Sequence, residues 1–285
     1  TLRCVTPPSL GARDFAAVRV SLNAQQFVGN ESVRFLYHGH PHVDSISPTS
    51  GALVGGTLVN VSGTGFASGA HYVCHFGSVR VGASCAEADG VISCRAPAGT
   101  SGSTVAVEVS LNAQQFSSEG AGFRYHDLTF LSSYSPSSGP HDGGTFVRID
   151  GVGLSGGSDY KCRYDSCGDC SSAWSCGACV VNASYNPQGF DDIGCVSPRL
   201  STWHADATAS MQLHVSLNSQ QYTSTSTTLL EYTFYATPVV LSVSPSLGPV
   251  EGGTSLTILG EDIHGAGSHR LCRFNSSSVT TAVYD

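Results

Sequence analysis

The feature that most constrains this chain is a pair of short phrases that alternate along it. One reads Ser21-Leu-Asn-Ala-Gln-Gln-Phe27, returns as Ser110-Leu-Asn-Ala-Gln-Gln-Phe116, and returns again as Ser216-Leu-Asn-Ser-Gln-Gln-Tyr222. The other, Ser-Pro-x-x-Gly-x-x-x-Gly-Gly-Thr, occupies Ser47 to Thr57, Ser135 to Thr145 and Ser244 to Thr254. Self-similarity of this kind marks a repeated structural unit. Because the phrases alternate, each marks one half of a module, the Pro/Gly phrase opening it and the Asn-x-Gln-Gln phrase closing it. One module length, Ser47 to Ser135, is 88 residues.

After each Gly-Gly-Thr the apolar residues fall two apart: Val59 and Val61, Val147 and Ile149, Leu256 and Ile258. Before each Asn the spacing returns as Val18, Val20 and Leu22, as Val107, Val109 and Leu111, and as Leu213, Val215 and Leu217. Arg19, Glu108 and His214 take alternate positions. A period of two with one apolar face is the signature of a half-buried strand. The Gly pairs suit turns that need positive φ, and the Pro after Ser suits the start of an edge strand, where no ladder N–H is required. Composition agrees, since 33 Gly and only 12% charged residues fit many short strands joined by tight turns. The reading is an all-β chain of antiparallel sandwiches in tandem.

Two further signatures follow the Pro/Gly phrase in order. They are Cys-x-Phe or Cys-x-Tyr (Cys74 to Phe76, Cys162 to Tyr164, Cys272 to Phe274) and Cys-x-x-Pro (Cys4 to Pro7, Cys94 to Pro97, Cys195 to Pro198). With these the chain resembles the IPT/TIG domains (Ig-like, plexin-type) of extracellular surface proteins along its whole length. The resemblance implies Ig-like sandwiches, and it implies one disulfide per module between the two signatures: Cys74 with Cys94, Cys162 with Cys195, and Cys272 with Cys4. The family includes binding, adhesive and DNA-binding members, so function does not follow from the fold.

The phrases divide the chain into residues 1–43, a closing half-domain; 44–127, a complete domain; 128–239, a domain lengthened by a Cys-rich insertion at about 162–195; and 240–285, an opening half-domain. Counting from Ser244 through Asp285 and on from Thr1 to Ser47 gives 88 residues again, against 109 from Ser135 to Ser244. The same wrap spaces Cys272 and Cys4 by 17, close to the 20 between Cys74 and Cys94. The expectation is that residues 240–285 are completed by residues 1–43 of a neighbouring copy, in a longer repetitive polypeptide or by strand complementation between subunits. The alternative is a segment of a long receptor ectodomain. A head-to-tail contact that repeats without closing makes a filament.

Outside the three pairs lie Cys85, Cys167, Cys170, Cys176 and Cys179, an odd number, so one is free or bonded to another chain. Cys167-Gly-Asp-Cys170 and Cys176-Gly-Ala-Cys179 could hold tetrahedral zinc on spacing alone. In an oxidising compartment they read as disulfides, and the βαβ setting of a redox Cys-x-x-Cys is missing. Four Asn-x-Ser sequons, at Asn30, Asn60, Asn182 and Asn275, join the cysteines in pointing to a secreted, cell-surface glycoprotein. Asn60 alternates with Val59 and Val61 and should face solvent. His38, His40 and His42 fall at alternate positions, but read as solvated histidines of a segment between modules.

A formal net charge of −8 with 13 Lys and Arg argues against a nucleic-acid partner. No apolar run approaches the roughly 20 residues that cross a bilayer, so no membrane insertion is expected within the chain. No phosphate loop and no recognisable carboxylate pair suggest catalysis, and no cofactor or metal is expected. With 2 Trp there is no exposed aromatic row of the kind a carbohydrate-binding face needs. The expected role is a structural subunit of an extracellular fibre, coat or appendage. Its partners would be other copies of itself, with a surface ligand or glycan in addition. The alternative is a ligand-binding or adhesive ectodomain of a surface receptor.

Overall fold

In the computed structural model, residues 1–9, 15–67, 69–86, 90–165, 179–188, 191–200, 209–223, 230–263, 270–275 and 278–284 are described. They contain strands and no helix. The chain divides into two compact units, Thr1–Tyr125 and His126–Asp285. In the first, β1 (Phe15–Ala17) and β2 (Arg34–Leu36) form a two-stranded antiparallel sheet.

The first complete module follows as β3 (His42–Ser47), β4 (Ser50–Ala52), β5 (Leu58–Thr64), β6 (Val73–Phe76), β7 (Val79–Ala86), β8 (Val91–Arg95), β9 (Thr104–Ser110) and β10 (Ala121–His126). They are ordered β3-β5-β8-β7-β6-β9-β10-β4. Two strand switches make this ribbon a sandwich. The first half of β7 pairs with β6 and its second half with β8, so β7 passes from one sheet to the other. At the opposite margin β3 lies along β5, Pro48 interrupts, and β4 resumes beside β10. The proline therefore ends an edge strand at a sheet switch rather than starting one. It is tolerated because the ladder is broken there and needs no N–H.

The alternation read from sequence is the burial pattern observed. Val59 and Val61 are fully buried while Asn60 between them is exposed, and Val107, Val109 and Leu111 are fully buried. The Cys74–Cys94 disulfide joins β6 to β8 across the two sheets, with Cα atoms 6.4 Å apart. Phe76, Phe123 and Tyr125 pack edge to face beside it, at centroid distances of 5.5 and 5.2 Å. Such aromatic pairs add to the hydrophobic gain from burial.

The second module repeats the plan: β11 (Phe130–Ser135), β12 (Ser138–Pro140), β13 (Phe146–Val152), β14 (Lys161–Tyr164), β15 (Cys179–Asn186), β16 (Asp192–Val196), β17 (Ala209–Ser216) and β18 (Glu231–Tyr235). Their order, β11-β13-β16-β15-β14-β17-β18-β12, is that of the first module. Cys162 and Cys195 are bonded at the same 6.4 Å Cα separation. Most of the extra length sits in one connection. Whereas β6 ends at Phe76 and β7 begins at Val79, β14 ends at Tyr164 and β15 begins at Cys179. The insertion is thus narrower than about 162–195, because both ends of that range lie in framework strands.

The Gly-Gly pairs all take positive φ, from 76° to 86°. The earlier glycine of the phrase has another purpose. A Cβ on Gly51 would lie 2.2 Å from Thr57 Oγ1, one on Gly139 would lie 2.4 Å from Thr145 Oγ1, and one on Gly248 would lie 2.4 Å from Thr254 Oγ1. The phrase encodes a close contact between its own Gly and Thr.

After the second module come β19 (Val239–Ser244), β20 (Thr257–Glu261), β21 (Leu271–Phe274) and β22 (Ser278–Thr281). They form two separate two-stranded sheets, β19-β20 and β21-β22.

Candidate functional site

The two partial modules are folded like the matching parts of the complete ones. The β19-β20 pair carries a register shift between Val240 and Ser242, where β3-β5 shifts between Val43 and Ser45 and β11-β13 between Leu131 and Ser133. In the β1-β2 pair Phe35 faces Ala16, as Phe123 faces Val105 in β10-β9. Residues 1–37 therefore supply the equivalents of β9 and β10, together with the Cys-x-x-Pro segment that in module one belongs to β8. Residues 239–282 supply the equivalents of β3, β5, β6 and β7. Neither set repeats a strand of the other. In module one, three pairings join these two groups of strands, β5-β8, β7-β8 and β6-β9, and β4 pairs with β10 besides.

Without those pairings the core faces are open. Leu22 is 91% exposed, whereas Leu111 and Leu217 at the same place in the repeat are 0% and 2% exposed. Phe274 is 46% exposed, whereas Phe76 and Tyr164 are 2% and 0%. Val18, Val20, Phe35, Val243 and Val279 are likewise exposed.

The Asn-x-Gln-Gln phrase forms one turn three times. Asn112 Oδ1 accepts the N–H groups of Gln114 and Gln115 at 3.0 and 3.1 Å, and its Nδ2 donates to Gln115 Oε1 at 2.7 Å. Asn218 accepts the Gln220 and Gln221 N–H groups at 3.1 Å. Asn23 accepts those of Gln25 and Gln26 at 3.1 Å. The intervening Ala24, Ala113 and Ser219 hold φ of 62°, 61° and 63°. A side chain that bonds its own backbone two residues on specifies the turn locally. The turn accordingly forms in the open half-module as well.

Among the cysteines, Cys4 is exposed, Cys85 and Cys272 are half-buried, and all three are free thiols. Cys179 is disulfide-bonded. Cys167, Cys170 and Cys176 lie outside the described residues. Asn30, Asn60, Asn182 and Asn275 are all exposed. His42 contacts two carboxylates, Glu119 at 3.2 Å and Asp44 at 3.3 Å, while His38 Nδ1 faces its neighbour's carbonyl, that of Gly39, at 2.8 Å. The three histidines do not converge, and among the described residues no cluster of His, Cys, Asp or Glu is arranged to hold a metal ion.

Two features were not anticipated. His214 is buried on the β14-β17 ladder, with Nδ1 2.7 Å from the Thr223 carbonyl and Nε2 2.9 Å from Asp165, and Arg163 lies between Asp165 at 2.9 Å and the Tyr222 ring at 4.5 Å. This network pins the insertion-bearing edge to the Asn-x-Gln-Gln turn. Gly153-Leu-Ser155-Gly-Gly157 matches the nucleophile pattern Gly-x-Ser-x-Gly, but it links two antiparallel strands, β13 and β14. The strand-to-helix elbow that exposes a nucleophilic Ser is not its setting.

No helix among the described residues is long and apolar enough to cross a membrane. The plexin A4 full extracellular region aligns over 74% of this chain and 17% of its own, at 18% identity and a TM-score of 0.49. Invasin, a bacterial integrin-binding protein, aligns over 74% of this chain and 43% of its own, at 13% identity and a TM-score of 0.24. SGBP-B, from a complex xyloglucan utilization locus of Bacteroides uniformis, aligns over 63% and 46%, at 14% identity and 0.25. This chain thus spans less than half the length of each. The IPT/TIG family model matches residues 41–125. That segment is an IPT/TIG domain, an Ig-like β-sandwich, and the sandwich behind it repeats its strand order.

Proposed function

We propose that this chain is a structural part of an extracellular fibre, coat or appendage built from Ig-like repeats that follow one another head to tail. What supports the reading is the repetition itself: two complete sandwiches of one strand order, each with its disulfide, flanked by segments that carry the same phrases.

Two disulfides and a fifth bonded cysteine, Cys179, support an oxidising extracellular setting. The role is non-catalytic.

Light scattering and negative-stain microscopy of the purified chain test this reading. Linear oligomers that lengthen with concentration are expected, and Leu22→Asp should abolish them without changing the unfolding of the two complete modules. A chain that stays monomeric at its highest soluble concentration overturns the proposal and favours a ligand-binding ectodomain segment.

A further inference from the structure

The outer face of the β11-β13-β16-β15 sheet in the second module is its own complement, and we propose that it packs against the same face of a second copy of this chain about a two-fold axis. The contact is lateral, between chains lying side by side, and does not depend on the head-to-tail reading above.

Comparison of the two complete modules isolates the face. Equal registers place Phe130 opposite Val152 where His42 stands opposite Thr64, and Phe146 opposite Val196 where Leu58 stands opposite Arg95. Three polar positions of module one are thus apolar in module two, and the fourth changes from Leu58 to the larger Phe146. All four side chains stay in water: Phe130 is 52% exposed, Val152 61%, Phe146 59% and Val196 48%. The core does not require them, since the same sandwich forms in module one with His42, Thr64 and Arg95. Exposed apolar side chains gathered at both ends of one sheet face mark a contact surface.

The order of residues along β13 specifies the occupant. Phe146, Arg148, Asp150 and Val152 alternate with the buried Val147 and Ile149 and share the outer face. Turned end for end, the series apolar, cation, anion, apolar becomes apolar, anion, cation, apolar. Two such faces laid antiparallel bring Phe146 of each copy to the Phe130–Val152 end of the other. They also set Arg148 of each copy over Asp150 of the other. That reciprocity is what a two-fold contact demands, so charge complementarity selects a second copy of the chain.

The face is preorganised for this contact. Arg148 Nε lies 2.5 Å from Asp192, which is 4% exposed, and its Nη2 lies 3.1 Å from Asp150, to which Ser133 Oγ donates at 3.1 Å. Charged groups already pinned lose little freedom on association. Small residues, Ser135 and Gly194, flank Arg148 on the adjacent strands. A Cβ on Gly194 would lie 2.3 Å from Phe146 Cζ, so the Phe146 ring lies down on the sheet. A low face suits the roughly 10 Å spacing of packed sheets. In module one the place of Arg148 is taken by the sequon residue Asn60, which lacks the ion pair. Asn182, a sequon residue of module two, sits where β15 has left this sheet to pair with β14.

Size sets the strength. Four strands about 4.8 Å apart, each running about 20 Å, give roughly 400 Å² of planar face per copy, which belongs with small interfaces. Each copy also brings one carboxylate in excess of its arginine. Pairing is therefore weak between two lone chains and effective where many modules of an array engage at once.

The test is sedimentation of the full chain, made in a host that adds no N-glycan, beside hydroxyl-radical footprinting at the same concentrations. A monomer–dimer equilibrium is expected, in which oxidation of Phe130 and Phe146 falls several-fold as concentration rises while that of Leu58 does not change. Phe146→Lys alone and Val152→Glu alone should each lose the dimer without shifting the thermal unfolding of the module. An equimolar mixture of the two variants should regain it, because the mixed pair keeps one Phe146–Val152 end and joins opposite charges at the other. Dimers that survive in both variants, dimers whose phenylalanines oxidise at the monomer rate, or variants that stay monomeric on mixing would each overturn the proposal. So would a chain that is monomeric at its highest soluble concentration. Linear arrays without protection of Phe130 and Phe146 would overturn the lateral contact and leave the fibre reading standing, whereas protected dimers that grow no further would do the reverse.

Discussion

Tyr37 donates its phenolic hydrogen to the carbonyl of Pro7 at 3.0 Å, thirty residues away in a half-module that lacks its opposite strands. Tyr125 makes the same bond to Pro97 within a complete sandwich. A contact that persists without the rest of the module is specified by its own segment. Together with the Asn23 turn it gives this segment a defined surface of its own. Preorganisation of this kind reduces the ordering cost of association. In the second module Phe234 occupies the place of Tyr125, so the hydroxyl is not a requirement of the fold.

The Gly–Thr contact of the opening phrase predicts an asymmetry among glycines. An added Cβ at Gly51 would meet Thr57 Oγ1 at 2.2 Å and Phe123 Cζ at 2.7 Å, and neither neighbour can withdraw because both are fully buried. Gly51→Ala should cost about 1–3 kcal/mol, the usual range for overpacking. Gly82→Ala, where nothing lies within 4 Å, should be neutral or slightly stabilising. Denaturant titration of the two variants checks the ordering, and equal losses would refute the contact argument.

Neighbouring residues in the Asn-x-Gln-Gln turn should respond with opposite signs. Asn112→Ala removes both backbone acceptor contacts and the bond to Gln115, with an expected loss of about 1–2 kcal/mol. Ala113 sits at φ 61°, where a Cβ is strained, so Ala113→Gly should gain about 0.5–1 kcal/mol. The midpoint of thermal unfolding resolves the two shifts.

Alkali should weaken the second module more than the first. Burial pushes the Tyr164 hydroxyl far above the ordinary tyrosine range, with a further push from Tyr232, and burial raises Tyr232 as well. A phenol whose pKa rises on folding leaves stability intact below the unfolded value, about 10, and that stability is lost as pH rises beyond it, because the unfolded chain ionises first. Absorbance at 295 nm should show two phenols that ionise only on unfolding. Tyr164→Phe, which installs the residue module one has at Phe76, should reduce the loss of stability above pH 10 and change little at neutral pH.

Much of the framework was legible because strand alternation and turn glycines are local signals. Val59, Val61, Val107, Val109, Val147 and Ile149 were placed in the core by spacing alone and are fully buried. What escaped were consequences of tertiary approach. Gly51 passed as a turn residue because nothing in its spacing announces that Thr57 lies against it. Pro48 was assigned to a strand start because a sheet switch has no period of its own. The insertion was framed by its outermost cysteines, although Cys162 and Cys195 belong to strands. Counting residues placed the phrases of the two end segments, but it did not indicate that Tyr37, Asn23 and Ala282 hold the same contacts there as their counterparts in the complete modules.

Asn60 lies on the outer face of the β3-β5-β8 sheet, opposite Ser47 on one side and Ser93 on the other, and its Oδ1 accepts from Ser93 Oγ at 2.8 Å. Its small neighbours leave room for a sugar, so material from a secretory host should carry a glycan there that Asn60→Gln removes in intact-mass measurement. A bulky, solvated group on a sheet face opposes stacking against another copy without touching the ends of the chain. In fibres of the proposed kind, enzymatic deglycosylation should therefore increase side-by-side bundling in electron micrographs while leaving the length of single filaments unchanged. Shortened filaments would mean that the sugar supports the end contact instead, and unmodified Asn60 in natively sourced protein would count against the secretory route.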